Sequence, residues 1–180
     1  MKLIILDRDG VINHDSPDYI KSPDEWHPIE GSLEAIARFH QAGWKVVVAS
    51  NQSGLARKLF DAPTLSKIHT KIRSSLMSLG GAIDAFFICP HGPEEGCDCR
   101  KPMPGLFHDI ARRFDISLQD VPAVGDSLRD LQASHALGCQ PWLVETGNGM
   151  KTRSQKGLPE NVKFARNLAD VADQLLTPRP

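Results

Sequence analysis

The chain has 180 residues, 41% of them hydrophobic and 24% charged, enough for one well-buried α/β unit over 1–180 and short for two. Its formal charge of −1 leaves no basic excess to hold a nucleic-acid backbone or an anionic membrane. No apolar run reaches membrane-spanning length, and the few apolar residues after Met1-Lys2 are too short for a signal peptide, so the cytoplasm is the expected location.

A strand is expected over residues 2–6, where an apolar run ends abruptly in Asp7-Arg8-Asp9-Gly10. Residues 13–30, rich in Pro, Asp and Ser, read as a long loop. Ser32 reads as the N-cap of a helix that carries Leu33, Ile36, Ala37 and Phe39 and stops at Gly43. A second strand over 44–49 runs into the turn from Ser50 to Arg57. Leu65, Ile68, Ile72, Leu76 and Leu79 then mark one face of a longer helix closed by Gly80-Gly81. A third strand over 85–88 leads to a loop over 90–104, and Leu106, Ile110 and Phe114 mark a third helix. A fourth strand over 121–124 delivers Gly125-Asp126, and Leu128, Leu131 and Leu137 suggest a helix ending at Gly138. A fifth strand over 141–144, a loop over 145–161 and a helix with Leu168, Val171, Leu175 and Leu176 complete the chain.

The strands are continuous apolar runs, as strands covered on both faces must be. Their alternation with helices predicts a doubly wound, mainly parallel, Rossmann-like sheet. In such a sheet ligands bind beyond the carboxyl ends of strands. Asp7, Asp9, Ser50 and Asp126 all fall there, and with Lys101 they read as an enzyme that moves phosphoryl groups with an aspartate and a divalent metal. Ser50-Asn51-Gln52-Ser53-Gly54 fits a phosphate cradle built from a hydroxyl and turn amides, and also an ordinary strand-to-helix turn.

Cys89, His91, Cys97 and Cys99 form a second constellation, Cys-x-His followed by Cys-x-Cys. Three thiolates and an imidazole suit tetrahedral Zn²⁺, and a four-ligand site is closed and structural. Metal takes precedence over disulfide in a reducing compartment. The loop 89–99 ends directly against Arg100-Lys101, so the ion would aim both cations.

The motifs Asp7-Arg8-Asp9-Gly10, Ser50, Lys101, and Gly125-Asp126 with Asp130 together resemble those of the haloacid-dehalogenase-like phosphatase superfamily. The resemblance implies that Asp7 attacks phosphorus to give an aspartyl-phosphate. Asp9 would protonate the leaving oxygen and then activate water. Ser50 and Lys101 would offset phosphoryl charge, and Mg²⁺ would sit on Asp7, Asp126 and the Asp9 carbonyl. Asp130 would hold Lys101.

Within the superfamily, the zinc loop, Asn51-Gln52-Ser53-Gly54 and Gly147-Asn148-Gly149 are similar to the phosphatases of heptose bisphosphates in bacterial lipopolysaccharide-precursor synthesis. That likeness implies substrate contacts at Asp15, Ser16, Pro17, Asp18, Asn51, Gln52, Ser53 and Arg100, with a small sugar phosphate as the only partner of a monomer. The chain departs from the pattern at Ser127, where relatives often carry lysine; Arg129 is a candidate replacement. Histidinol-phosphate phosphatases, which share the aspartates and a zinc loop, are the alternative. A phosphoacceptor receiver-like module also places Asp at strand ends, but needs neither Asp9 nor the cysteines. The gaps between strands leave no room for a separate cap, so a capless enzyme with an open cleft is expected.

Overall fold

The computed structural model describes residues 1–177. Its centre is one parallel sheet of six strands in the order β3-β2-β1-β4-β5-β6. The strands are β1 (Leu3–Leu6), β2 (Lys45–Asn51), β3 (Ala85–Cys89), β4 (Pro122–Gly125), β5 (Gln140–Val144) and β6 (Lys163–Ala165). Side chains alternate across the sheet because successive Cβ atoms point to opposite faces. Ile4, Leu6, Val46 and Val48 face one core with α1 (Ser32–Gln41), α2 (Ala62–Met77) and α6 (Leu168–Leu176). Leu3, Ile5, Val47 and Ala49 face the other with α3 (Gly105–Phe114) and α4 (Leu128–His135). Both faces are therefore apolar, which explains the unbroken runs in the sequence.

Five strands were expected and the sheet has six. The addition, β6, is a three-residue edge strand with Lys163 and Phe164 exposed, so burial left no apolar signature in it. The expected loop over 145–161 contains a short helix, α5 (Gly149–Arg153). Ser32 is not an N-cap: it is the first residue of α1, after Gly31, and its hydroxyl donates to the buried Ile12 carbonyl at 2.6 Å. Leu79 lies past the end of α2 and is exposed, and Leu137 lies past the end of α4. The expected absence of a cap agrees with the described residues: only a 3-10 turn (Pro23–Glu25) and α1 lie between β1 and β2, and only α2 between β2 and β3.

His69 of α2 stacks flat on Phe86 of β3, with ring centroids 4.0 Å apart. Burial, reinforced by the charges of Arg8 and Arg73, pushes its pKa from 6.5 down to about 4, against a smaller pull from Asp9. The unfolded imidazole gains a proton below pH 6.5 while the folded one resists until about 4. The stability contributed by a neutral His69 is therefore complete above that window and lost as pH falls through it. Thermal melts from pH 7 to 4.5 are expected to show a steeper acid-side fall in Tm for the wild type than for His69→Phe. Equal slopes would show that His69 stays neutral in both states or protonates freely in the fold.

Candidate active site

After β1 the chain passes to β2 and β3 on one side, then crosses back to place β4 on the other flank. The carboxyl ends of β1 and β4 thus meet where the strand order reverses, the usual ligand crevice of such sheets. Asp7 directly follows β1 and Asp126 directly follows β4. Asp130 reaches the same place from the first turn of α4, and one carboxylate oxygen from each of the three lies within 4.8 Å of the others.

Among the described residues, Lys101 is the only cation whose side chain enters this cluster. It is 2% exposed, and its Nζ lies 3.0 Å from Asp7 Oδ1 and 2.7 Å from Asp130 Oδ1, and donates to the Ala49 carbonyl at 2.7 Å. The Lys101–Asp130 pair is a close, buried contact of opposite charges. The contact expected between Asp130 and Lys101 is present. One ammonium cannot balance three buried acids. Burial and the neighbouring Asp130 push Asp7 up to about 7 against the pull of Lys101, and burial with Asp130 and Asp7 pushes Asp126 up to about 8. A hard divalent cation with oxygen ligands would supply the missing charge, so the donor set fits Mg²⁺.

Asp126 is held from a segment far along the chain. Its Oδ2 accepts from the Asn148 backbone N–H at 2.8 Å, and its carbonyl from Thr152 Oγ1 at 2.8 Å. Gly10 and Gly147 close over this carboxylate, and a Cβ at either would collide with Asp126 Oδ2. Both also have positive φ, +83° and +59°, the left-handed region that favours glycine.

The cleft above the acids, about 190 Å³, is lined by Asp7, Asp9, Asp15, Ser16, Asn51, Gln52, Ser53, Arg100, Lys101 and Asp126, all expected from sequence. Arg8, Tyr19, Ile20 and Arg129 also line it. Pro17 and Asp18 are exposed outside the lining, and Ser50 lies beneath it, 2% exposed, accepting from Gln52 Nε2 at 2.8 Å. Two amides expected at the substrate are committed to neighbours as well. Asn51 clamps the Lys101 backbone in both directions, at 3.0 and 3.1 Å. Gln52 Nε2 donates to Asp9 Oδ2 at 3.1 Å. Tyr19 sits 5.8 Å under Arg57, joining the turn after β2 to the loop after β1.

The Cys89, Cys97 and Cys99 sulfurs and His91 Nδ1 converge with separations of 2.9 to 3.6 Å. Tetrahedral ligands about 2.3 Å from Zn²⁺ stand roughly 3.7 Å apart, so this cage, slightly contracted, fits that ion. Arg100 Nη1 donates to the His91 carbonyl at 3.2 Å, tying the loop to the cleft.

An aspartate at the β1 edge, a lysine from a distant loop and an acidic pair after β4 match the site of an aspartate-based phosphatase, and the chain belongs to the haloacid-dehalogenase-like phosphatases. The HAD-hydrolase-like family model matches residues 98–176. The chain is 63% identical, over 98% of both chains, to the D-glycero-beta-D-manno-heptose-1,7-bisphosphate 7-phosphatase of Bordetella bronchiseptica. It is 51% identical, over 97% of both, to the phosphatase of that name from Pseudomonas aeruginosa. A crystal structure of the D,D-heptose 1,7-bisphosphate phosphatase from B. bronchiseptica, complexed with magnesium and phosphate, superposes with a TM-score of 0.97 at 63% identity, covering 98% of each chain. Its counterpart from Burkholderia thailandensis gives 0.78 at 47% identity, covering 99% of this chain and 100% of the other. No helix among the described residues is long and apolar enough to cross a membrane.

Proposed function

We propose that this phosphatase removes the 7-phosphate of D-glycero-D-manno-heptose 1,7-bisphosphate through an aspartyl-phosphate on Asp7. The observation that carries the reaction is the buried cluster of Asp7, Asp126 and Asp130 around one lysine. Near full-length identity to phosphatases of that substrate supports the choice of sugar.

Asp7 Oδ1 accepts from the Arg8 backbone N–H at 2.8 Å and from Lys101 Nζ at 3.0 Å. These bonds fix the carboxylate for in-line attack on phosphorus. As the Asp7–phosphorus bond forms and the bond to the sugar oxygen breaks, Asp9 delivers a proton to that oxygen. Asp9 then takes a proton from the water that hydrolyses the aspartyl-phosphate. Lys101 and the Ser50 hydroxyl face charge on the transferring group. Asp7, Asp126 and the Asp9 carbonyl would hold Mg²⁺, which when bound supplies positive charge to the phosphoryl oxygens. Arg100 and Arg129, both on the cleft lining, are placed for the distal phosphate, and Asp15 and Ser16 for the sugar.

Purified protein offered the heptose bisphosphate and histidinol phosphate with Mg²⁺ is expected to have the higher kcat/KM on the sugar. Faster turnover of histidinol phosphate would reverse the assignment. Cys89, His91, Cys97 and Cys99 would hold structural Zn²⁺, so stripping it with a strong chelator is expected to lower Tm and cut turnover together, and restored Zn²⁺ to recover both. Unchanged melting after verified zinc loss would remove the ion from the fold.

A further inference from the structure

We propose that Arg8 is the positioning residue of the proton carrier, holding the Asp9 carboxylate turned away from the metal-binding acids with one oxygen presented to the leaving group. The inference rests on the reading of Asp9 as the proton carrier.

Arg8 is 1% exposed, although it lies in the chain between two cleft acids. A guanidinium so buried costs several kcal/mol unless it is fully paired, and a buried pair returns little net stability. Its pairing is one-sided. Nε and Nη2 lie 3.0 and 2.8 Å from Asp9 Oδ1, Nη2 also lies 3.1 Å from Oδ2, and Nη1 has no partner among the described residues. A residue selected for stability would satisfy that last donor. From Arg8 the nucleophile receives only the backbone N–H, so the guanidinium serves Asp9 alone.

The two Asp9 oxygens are consequently unequal. Oδ1 is saturated by Arg8 Nε and Nη2 and by Asn13 Nδ2 at 2.9 Å. Oδ2 accepts only from Gln52 Nε2 at 3.1 Å and the longer Arg8 bond at 3.1 Å. The side chain is 20% exposed, on the cleft lining. Oδ2 is therefore the less engaged oxygen, the one offered to the leaving group, and it carries the proton when its longer bond to Arg8 yields. It releases that proton to the sugar oxygen as the phosphorus–oxygen bond breaks, and regains one from water in the second displacement. Without the fork, the carboxylate is free to turn toward the cation site shared by Asp7 and Asp126, where it would bind metal rather than a proton.

The test compares leaving groups. p-Nitrophenyl phosphate expels a stable anion that needs no proton, whereas a sugar alkoxide leaves only with one. In Arg8→Met, kcat/KM for the sugar bisphosphate is expected to fall on the order of 100-fold and that for p-nitrophenyl phosphate by less than about threefold. Arg8→Lys, which keeps charge without the fork, should fall between. An equal fall on both substrates, or none on either, overturns the proposal. If Arg8→Met does not fold by circular dichroism, the ratio in Arg8→Lys decides, and a ratio equal to wild type overturns it. A wild type inert toward the sugar bisphosphate counts against the substrate assignment instead; histidinol phosphate, also an alkyl phosphate, then replaces it in the ratio.

Discussion

Replacing Asp7 with Asn is expected to lower kcat by at least about 10⁴-fold while leaving Tm unchanged or raised. Asn keeps the shape of the side chain and removes the nucleophile. Stability should not suffer, because the carboxylate it removes is disfavoured where it stands. Burial, Asp130 and Asp9 push Asp7 up to about 7, more than Lys101 can offset. A neutral side chain relieves that repulsion in the metal-free protein. A purely structural acid would give the opposite pair of results, with turnover kept and Tm lost. Activity within tenfold of wild type would end the nucleophile assignment. A receiver-like module is separated by the same experiment, since its wild type would accumulate phospho-Asp7 without turning over.

Lys101→Met is expected to cut kcat about 10³-fold and to cost roughly 3 kcal/mol of stability. The two losses have different origins. Turnover falls because no cation faces both Asp7 and the incoming phosphoryl group. Stability falls because Asp130, which burial raises and Lys101 holds below the usual carboxylate range, loses its partner while staying buried. Adding Asp130→Asn removes the orphaned charge. The double variant should recover most of the stability and none of the activity. Recovery of both would mean that Lys101 acts only by holding Asp130.

Both predictions begin in the sequence. Acids at the ends of apolar runs were legible because a parallel sheet needs such runs, and only their carboxyl ends open to a ligand. The cluster of Cys89, His91, Cys97 and Cys99 was legible because thiolates and imidazole at close spacing leave few other uses. The sixth strand was not, because an edge strand with exposed side chains has no burial pattern. The true start of α1 was missed because Ser32 spends its hydroxyl on Ile12 rather than on its own helix.

Residue types alone marked out the candidate chemistry: acids at the ends of apolar runs, and three cysteines with a histidine in one short loop. Which of these groups meet was settled by the folding of distant segments onto one sheet edge. Asn51 clamps Lys101 from 50 positions away, and Asn148 reaches Asp126 across 22. Arg8 turns from a surface-compatible arginine into a buried fork on Asp9. Amides, glycines and a lone arginine have too many uses for local sequence to choose among them. The choice is made when the reversal of strand order brings distant loops over one edge of the sheet.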